Sequence, residues 1–127
     1  MKIAVSAVGQ DLDAQVDPRF GRCQNFIIVD TDTMEFEAVV NDSAGASGGA
    51  GIATAQSIAG KGVEAVLTGN CGPNAFGVLN SAGIKVITGA TGTVKEALEN
   101  YKADKLQAIS QPNTNAHSGM RRGKGTE

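Results

Sequence analysis

From Val63 to Leu98 the chain alternates short apolar runs with stretches of helical spacing, and no other feature narrows the possible folds as much. Val63 to Thr68 (VEAVLT) and Ile84 to Thr88 (IKVIT) are too short for helices and read as a fourth and a fifth strand. Between them Pro73 stands where a first helical position falls and Gly83 where a C-terminal cap falls, with Phe76 and Leu79 marking a buried stripe. After the fifth strand, Thr93-Val94-Lys95-Glu96 matches a capping box, and Val94, Ala97, Leu98 and Tyr101 share one face of the helix it starts. Strand–helix–strand units of this kind require parallel strands joined by right-handed crossovers.

The N-terminal half is built differently. Ile3 to Ala7 reads as a buried strand, and Asn25 to Asp30 (NFIIVD) as a second, apolar almost throughout and therefore central. Met34 to Val40 alternates, with Met34, Phe36, Ala38 and Val40 on one face and Glu35 and Glu37 on the other, as in a half-exposed edge strand. The short turn Asp30–Thr33 makes the second and third strands a hairpin. Gly51 to Gly60 carries Ile52, Ala55, Ile58 and Ala59 at near-helical spacing, and Gly60 and Gly62 end that helix. The order is βββαβαβα. The simplest arrangement is a three-layer α/β fold with a five-stranded mixed sheet, order 3-2-1-4-5, strand two antiparallel to the rest, and helices on both faces. Residues 1–109 are expected to form one domain. Residues 110–127, with Met120 their only large apolar residue, are expected to form a disordered tail.

This topology brings the unusual loops to one edge of the sheet. The C-terminal ends of strands one, three, four and five lie there, with the start of strand two. The segments on that edge are Gly9–Arg22 ending at Cys23, Asn41–Gly49, Gly69-Asn70-Cys71-Gly72 and Gly89–Gly92. Open α/β sheets bind ligands outside the C-terminal strand ends. Three helix N-termini are expected to face the same edge, each offering N–H groups and partial positive charge to an anion. Arg19 and Arg22 add positive charge, and glycine amides at Gly21, Gly48, Gly49, Gly69 and Gly72 can form anion-binding nests.

Composition excludes several functions. The net charge of -2 and the scarcity of aromatics argue against a nucleic-acid partner. No run is long enough to span a membrane, and the start MKIAVSAVGQDLD reaches acidic residues before a signal-peptide core develops, so the chain reads as cytoplasmic. The central strands lack the convergent carboxylates of a two-metal nuclease. The single histidine, His117, lies in the tail, which leaves a Ser-His-Asp hydrolase unsupported. The phosphate-loop motif GxxxxGK[ST] is absent, Gly48-Gly49-Ala50-Gly51 lacking the lysine.

Four segments, in order, resemble a known family: DAQVDPRFGRCQNFIIVD (Asp13–Asp30), GAGIATAQ (Gly49–Gln56), GNCGPNAFGVL (Gly69–Leu79) and GIKVITGATGTVKEAL (Gly83–Leu98). Together they look like the dinitrogenase iron–molybdenum cofactor biosynthesis family of prokaryotes, in particular its small stand-alone NifX-like members. The resemblance runs from Met1 to about Leu106. It implies a ribonuclease-H-like fold and a non-enzymatic role in nitrogenase-type cofactor assembly. The implied cofactor is a metal–sulfur cluster containing iron and/or molybdenum, and the implied partners are cluster donor and acceptor proteins. Many relatives carry histidine near the FGR motif or before the first helix. Here those neighbourhoods read Pro18-Arg19-Phe20-Gly21 and Ser47-Gly48-Gly49, so any covalent ligand must be a cysteine.

The candidate metal ligands are Cys23 and Cys71, since thiolates suit soft metals and iron–sulfur-type clusters. The alternative is a pair of small, half-buried hydrophobes near strand ends. The glycine-flanked helix start is expected to lower the pKa of Cys71. The candidate cluster-binding residues are Arg19, Phe20, Gly21, Arg22, Ser47, Gly48, Gly49, Gly69, Asn70 and Gly72. Arg19 and Arg22 hold an anion or are solvated loop charges, and Phe20 packs its loop against the domain. Asp11, Asp13 and Asp17 read as loop-capping, solvated residues rather than as ligands to a hard cation. Two other functional classes use the same loops. One is a small-anion or nucleotide-binding regulatory module, and the other is a thiol-redox protein cycling Cys23 and Cys71.

Overall fold

The structure, a computed structural model, describes residues 1–45 and 49–109. Ser47, Gly48 and the expected tail from 110 onward lie outside the described residues. The elements are β1 (Lys2–Ala7), β2 (Asn25–Asp30), β3 (Phe36–Val40), α1 (Ala50–Ala59), β4 (Ala65–Leu67), α2 (Pro73–Ser81), β5 (Lys85–Ile87) and α3 (Val94–Lys102). One five-stranded sheet runs in the order β3-β2-β1-β4-β5, as the βα alternation and the hairpin require. β1 pairs antiparallel with β2, Lys2 opposite Asp30 and Ala7 opposite Asn25. On its other side β1 pairs parallel with β4, Ile3 opposite Ala65, and β4 continues parallel to β5. β2 also pairs antiparallel with β3, Phe26 opposite Val39.

The central strands are apolar on both faces because helices cover both faces. On one face Ala4, Phe26, Ile28, Val66 and Val86 meet Ala55 and Ile58 of α1 and Ala75, Phe76 and Leu79 of α2. On the other, Ile3, Val5, Ile27, Val29, Leu67 and Ile87 meet Val94, Ala97 and Leu98 of α3. Each fully buried aliphatic side chain contributes about 1.5–3 kcal/mol to holding the layers together. The helix ends follow the local signals. Thr93 Oγ1 accepts from the Glu96 amide at 3.1 Å and Glu96 Oε1 from the Thr93 amide at 2.9 Å, completing the capping box. α2 closes in a Schellman arrangement: the Gly83 amide donates to Asn80 O and the Ile84 amide to Leu79 O, both at 3.0 Å.

The third strand differs from expectation. Met34 has a left-handed backbone (φ 62°) and closes the hairpin turn, its amide donating to Asp30 O at 2.7 Å, so the strand begins only at Phe36. The face carrying Phe36, Ala38 and Val40 is open, Phe36 being 42% and Val40 57% exposed. The apolar cluster under α3 ends at β2 and Met34, while Val39, on the opposite face, packs against the core beneath α1 and α2. β4 and β5 are shorter than their apolar runs. Beyond the regular ladder only single bonds continue, such as Glu64 N to Lys2 O and Thr68 N to Ile87 O.

Candidate functional site

The loop between β1 and β2 divides in two, and the division decides which helix starts stay open. Its first half turns toward α3. Leu12, Ala14 and Val16 pack against the α3 core, and Val16 N donates to Gly92 O at 2.8 Å. The carbonyls of Ala14 and Leu12 accept from the amides of Val94 and Lys95 at 2.9 and 3.0 Å. With Glu96 N bound to Thr93, the N-terminus of α3 is closed. The expectation of three helix starts facing a ligand is therefore corrected to two, because the chain's own carbonyls occupy the third.

The second half, Pro18 to Cys23, turns toward α1 and α2. The Asn70 amide donates to Pro18 O at 2.8 Å, and Arg19 and Asn70 form a bridge. This approach is close enough that a Cβ on Gly69 would stand 2.6 Å from Pro18 Cα, which explains the glycine there. Asn41 and Thr54 fasten the segment from behind: Asn41 Nδ2 donates to Cys23 O at 2.9 Å and Thr54 Oγ1 to Asn41 Oδ1 at 3.1 Å. Buried Ser6 joins loop to strand, its hydroxyl donating to Asp17 O at 2.6 Å and sharing a hydrogen bond with Thr68 Oγ1 at 2.8 Å.

Between these walls lies a cleft of about 520 Å³ lined by three separate stretches, 18–22, 49–52 and 70–75, with Cys71 absent from the lining. The starts of α1 and α2 both open into it. Gly49, left-handed at φ 71°, and Gly72 occupy the N-cap positions, neither helix has a side-chain cap, and neither has an acidic residue in its first turn. Each start therefore presents backbone N–H groups and positive helix-dipole charge that no side chain of its own offsets. Among the described residues no carboxylate lines the cleft, while Arg19 and Arg22 do. Among the described residues there is no group of three or more His, Cys, Asp or Glu able to hold a metal ion.

Asp17, expected to be a solvated loop residue, is buried. Its side chain is 2% exposed and its Oδ1 and Oδ2 each accept from Arg19 at 3.1 Å, while Oδ1 also caps the Arg19 amide at 2.9 Å. Burial pushes the carboxyl up, but the hydrogen bonds and charge of Arg19 outweigh it and hold Asp17 below its ordinary value. Arg19 is thus an oriented cation whose charge is largely matched, with its side chain still 64% exposed at the cleft. Arg22 donates to Ala44 O at 2.9 Å, linking the cleft wall to the loop after β3. Asp11 behaves as expected, its Oδ1 capping the Asp13 amide at 3.0 Å.

Neither cysteine lines the cleft. Cys23 is fully buried, its thiol donating to Phe20 O at 3.3 Å, and Cys71 is 1% exposed. No disulfide joins them. Burial, with the Asp17 charge adding to it, pushes the Cys23 thiol up to about 12, and burial pushes Cys71 up to about 11. The expectation that the helix start lowers the Cys71 pKa is corrected: removal from water wins over the dipole. Phe20 packs as expected, its ring 5.3 Å from that of Phe26, while one edge reaches the cleft. The structure thus brings Arg19, Phe20, Gly21, Arg22, Gly49, Asn70 and Gly72 together at one cleft, and sets Gly69, Cys23 and Cys71 behind it. Asp17, Asn41 and Thr54 are the residues sequence reasoning missed. Asp-Pro-Arg, an Asx-type turn signal, is the trace Asp17 leaves in the sequence.

Comparison with known proteins finds a family and several similar chains. The model of the dinitrogenase iron-molybdenum cofactor family matches residues 1–104. An uncharacterized protein of Methanocaldococcus jannaschii is 30% identical over 111 residues, spanning 84% of this chain and 94% of that one. The apo form of the orange protein from Desulfovibrio gigas is 43% identical with a TM-score of 0.86, covering 89% of this chain and 96% of that one. A solution structure from Thermotoga is 39% identical with a TM-score of 0.76, covering 87% and 94%.

Proposed function

The chain belongs to the dinitrogenase iron-molybdenum cofactor family, and from that premise we propose that it is a non-enzymatic carrier of an anionic metal–sulfur cluster, iron–molybdenum cofactor-like or related. It receives the cluster from a donor protein and passes it to an acceptor during assembly, storage or transfer. We assign its sheet to the ribonuclease-H-like class on the same resemblance. The observation that carries the reading is the cleft, with two uncapped helix starts, two arginines and, among the described residues, no lining carboxylate around about 520 Å³. Such a lining suits a preformed anion and lacks the donors of a single-metal site. The similar orange-protein structure is described as an apo form, which fits a protein that takes a ligand.

In this reading Arg19, Arg22, Asn70 and the amides around Gly21, Gly49 and Gly72 hold the cluster. The thiols of Cys23 and Cys71 pack beneath as apolar filler. Both are buried and neither lines the cleft, so neither sulfur is placed to meet a cluster held there, and burial raises both thiols above the range in which redox cycling draws on the thiolate. The nucleotide alternative lacks a stacking surface, since Phe20 is only 2% exposed.

The test is anaerobic reconstitution with ferrous iron, molybdate and sulfide, followed by elemental analysis and visible absorption. A coloured protein with stoichiometric metal is expected, retained by Cys23→Ala and Cys71→Ala and lost from Arg19→Ala with Arg22→Ala combined. A colourless, metal-free wild type sinks the carrier reading. Loss of metal from either cysteine variant with the arginine variant intact returns the site to the thiols.

A further inference from the structure

Gly51 is the second residue of α1, half-buried and part of the cleft lining. Alanine is the better helix former at such a position, because glycine loses more backbone freedom on folding. Among the described residues nothing calls for glycine there. Gly51 is not among the left-handed residues, and among the described residues a Cβ built on it would meet Ala75 alone, its Cβ at 3.6 Å and its N at 3.9 Å, which is ordinary contact. Gly21 and Gly69 are different. A Cβ on Gly21 would stand 3.0 Å from Gly51 Cα and 3.1 Å from Gly51 N, and one on Gly69 would stand 2.6 Å from Pro18 Cα, so close backbone packing fixes both.

The volume a methyl on Gly51 would fill lies between the first turns of α1 and α2, against Ala75, which itself lines the cleft. We propose that Gly51 is a specificity-determining residue, kept free of a side chain for the cargo rather than for the fold. The bare lining at Gly51 sets the depth of the cleft. It lets a bulky, compact anion of the metal–sulfide class reach the first-turn amides of both helices. This inference rests on the carrier reading.

The experiment compares wild type with Gly51→Ala and, as an internal control, Gly77→Ala. Gly77 is a helical, exposed glycine in α2 with nothing within 4 Å of a built Cβ, and it lies outside the cleft lining. Two readouts are taken: the thermal midpoint of the unloaded protein, and a titration with tetrathiomolybdate followed by its visible absorption. Gly77→Ala should raise the midpoint and leave the affinity unchanged. Gly51→Ala should match or exceed the wild-type midpoint and weaken tetrathiomolybdate binding by about tenfold or more. A lowered midpoint in Gly51→Ala shows that the fold needs the glycine and overturns the inference. Wild-type affinity in Gly51→Ala overturns it as well, while leaving the carrier reading intact. If the wild type binds no tetrathiomolybdate and also fails the iron–molybdate–sulfide reconstitution, the carrier reading falls and this inference with it.

Discussion

Asp17 and Arg19 show how one buried carboxylate sets the character of the cleft. The pair places a guanidinium at the rim in a fixed direction while matching most of its charge. Because the folded-state pKa of Asp17 lies below its ordinary 3.8, the pair's stabilisation is fully present above that value. It is lost as pH falls below 3.8 toward the folded value. Asp17→Asn keeps the shape but removes the charge, and should cost about 1–3 kcal/mol at neutral pH through weakened hydrogen bonds to Arg19. The stability gap between wild type and Asp17→Asn, measured by denaturant unfolding across pH, should narrow once the pH drops below about 4. A gap that stays constant to the lowest pH would show that the ionised charge of Asp17 contributes nothing to it. None of this was legible from the composition of the loop, where Asp11, Asp13 and Asp17 look alike. Only the fold separates the one placed over Ser6 and Thr68 from the two left at the surface.

At the scale of elements, local rules hold where the signal is covalently close. The capping box of α3, the Pro-first start of α2 and its Gly83 end all form where the spacing puts them. Thr93→Ala should cost about 1 kcal/mol by opening that box, as read by chemical denaturation. Phe36→Lys should stay within about 0.5 kcal/mol of wild type, since that face of β3 has no layer over it. A larger loss at Phe36 would mean that the face is covered in solution. The strand order was legible because βα units leave few topologies. The open face of β3 and the closed start of α3 were not, because both depend on how far α3 and the loop before β2 reach across the sheet. Cys71 was misjudged for a related reason. A helix start lowers a thiol's pKa when water shares the site, and here Cys71 is buried in the core cluster beneath α1 and α2.

Across the whole molecule, the cleft walls come from stretches 18–22, 49–52 and 70–75, which no short peptide contains together. A chain that has lost its sheet has lost the site as well. Whatever occupies the cleft therefore has affinity for the native ensemble and none for the denatured one, and mass action ties occupancy to the unfolding equilibrium. At a hundredfold excess over its dissociation constant, a cargo should add about 2.7 kcal/mol to the free energy of unfolding, with each further decade of concentration adding about 1.4. A melting curve recorded against a panel of candidate anions then reports the cargo directly, through the stability of the chain that carries it.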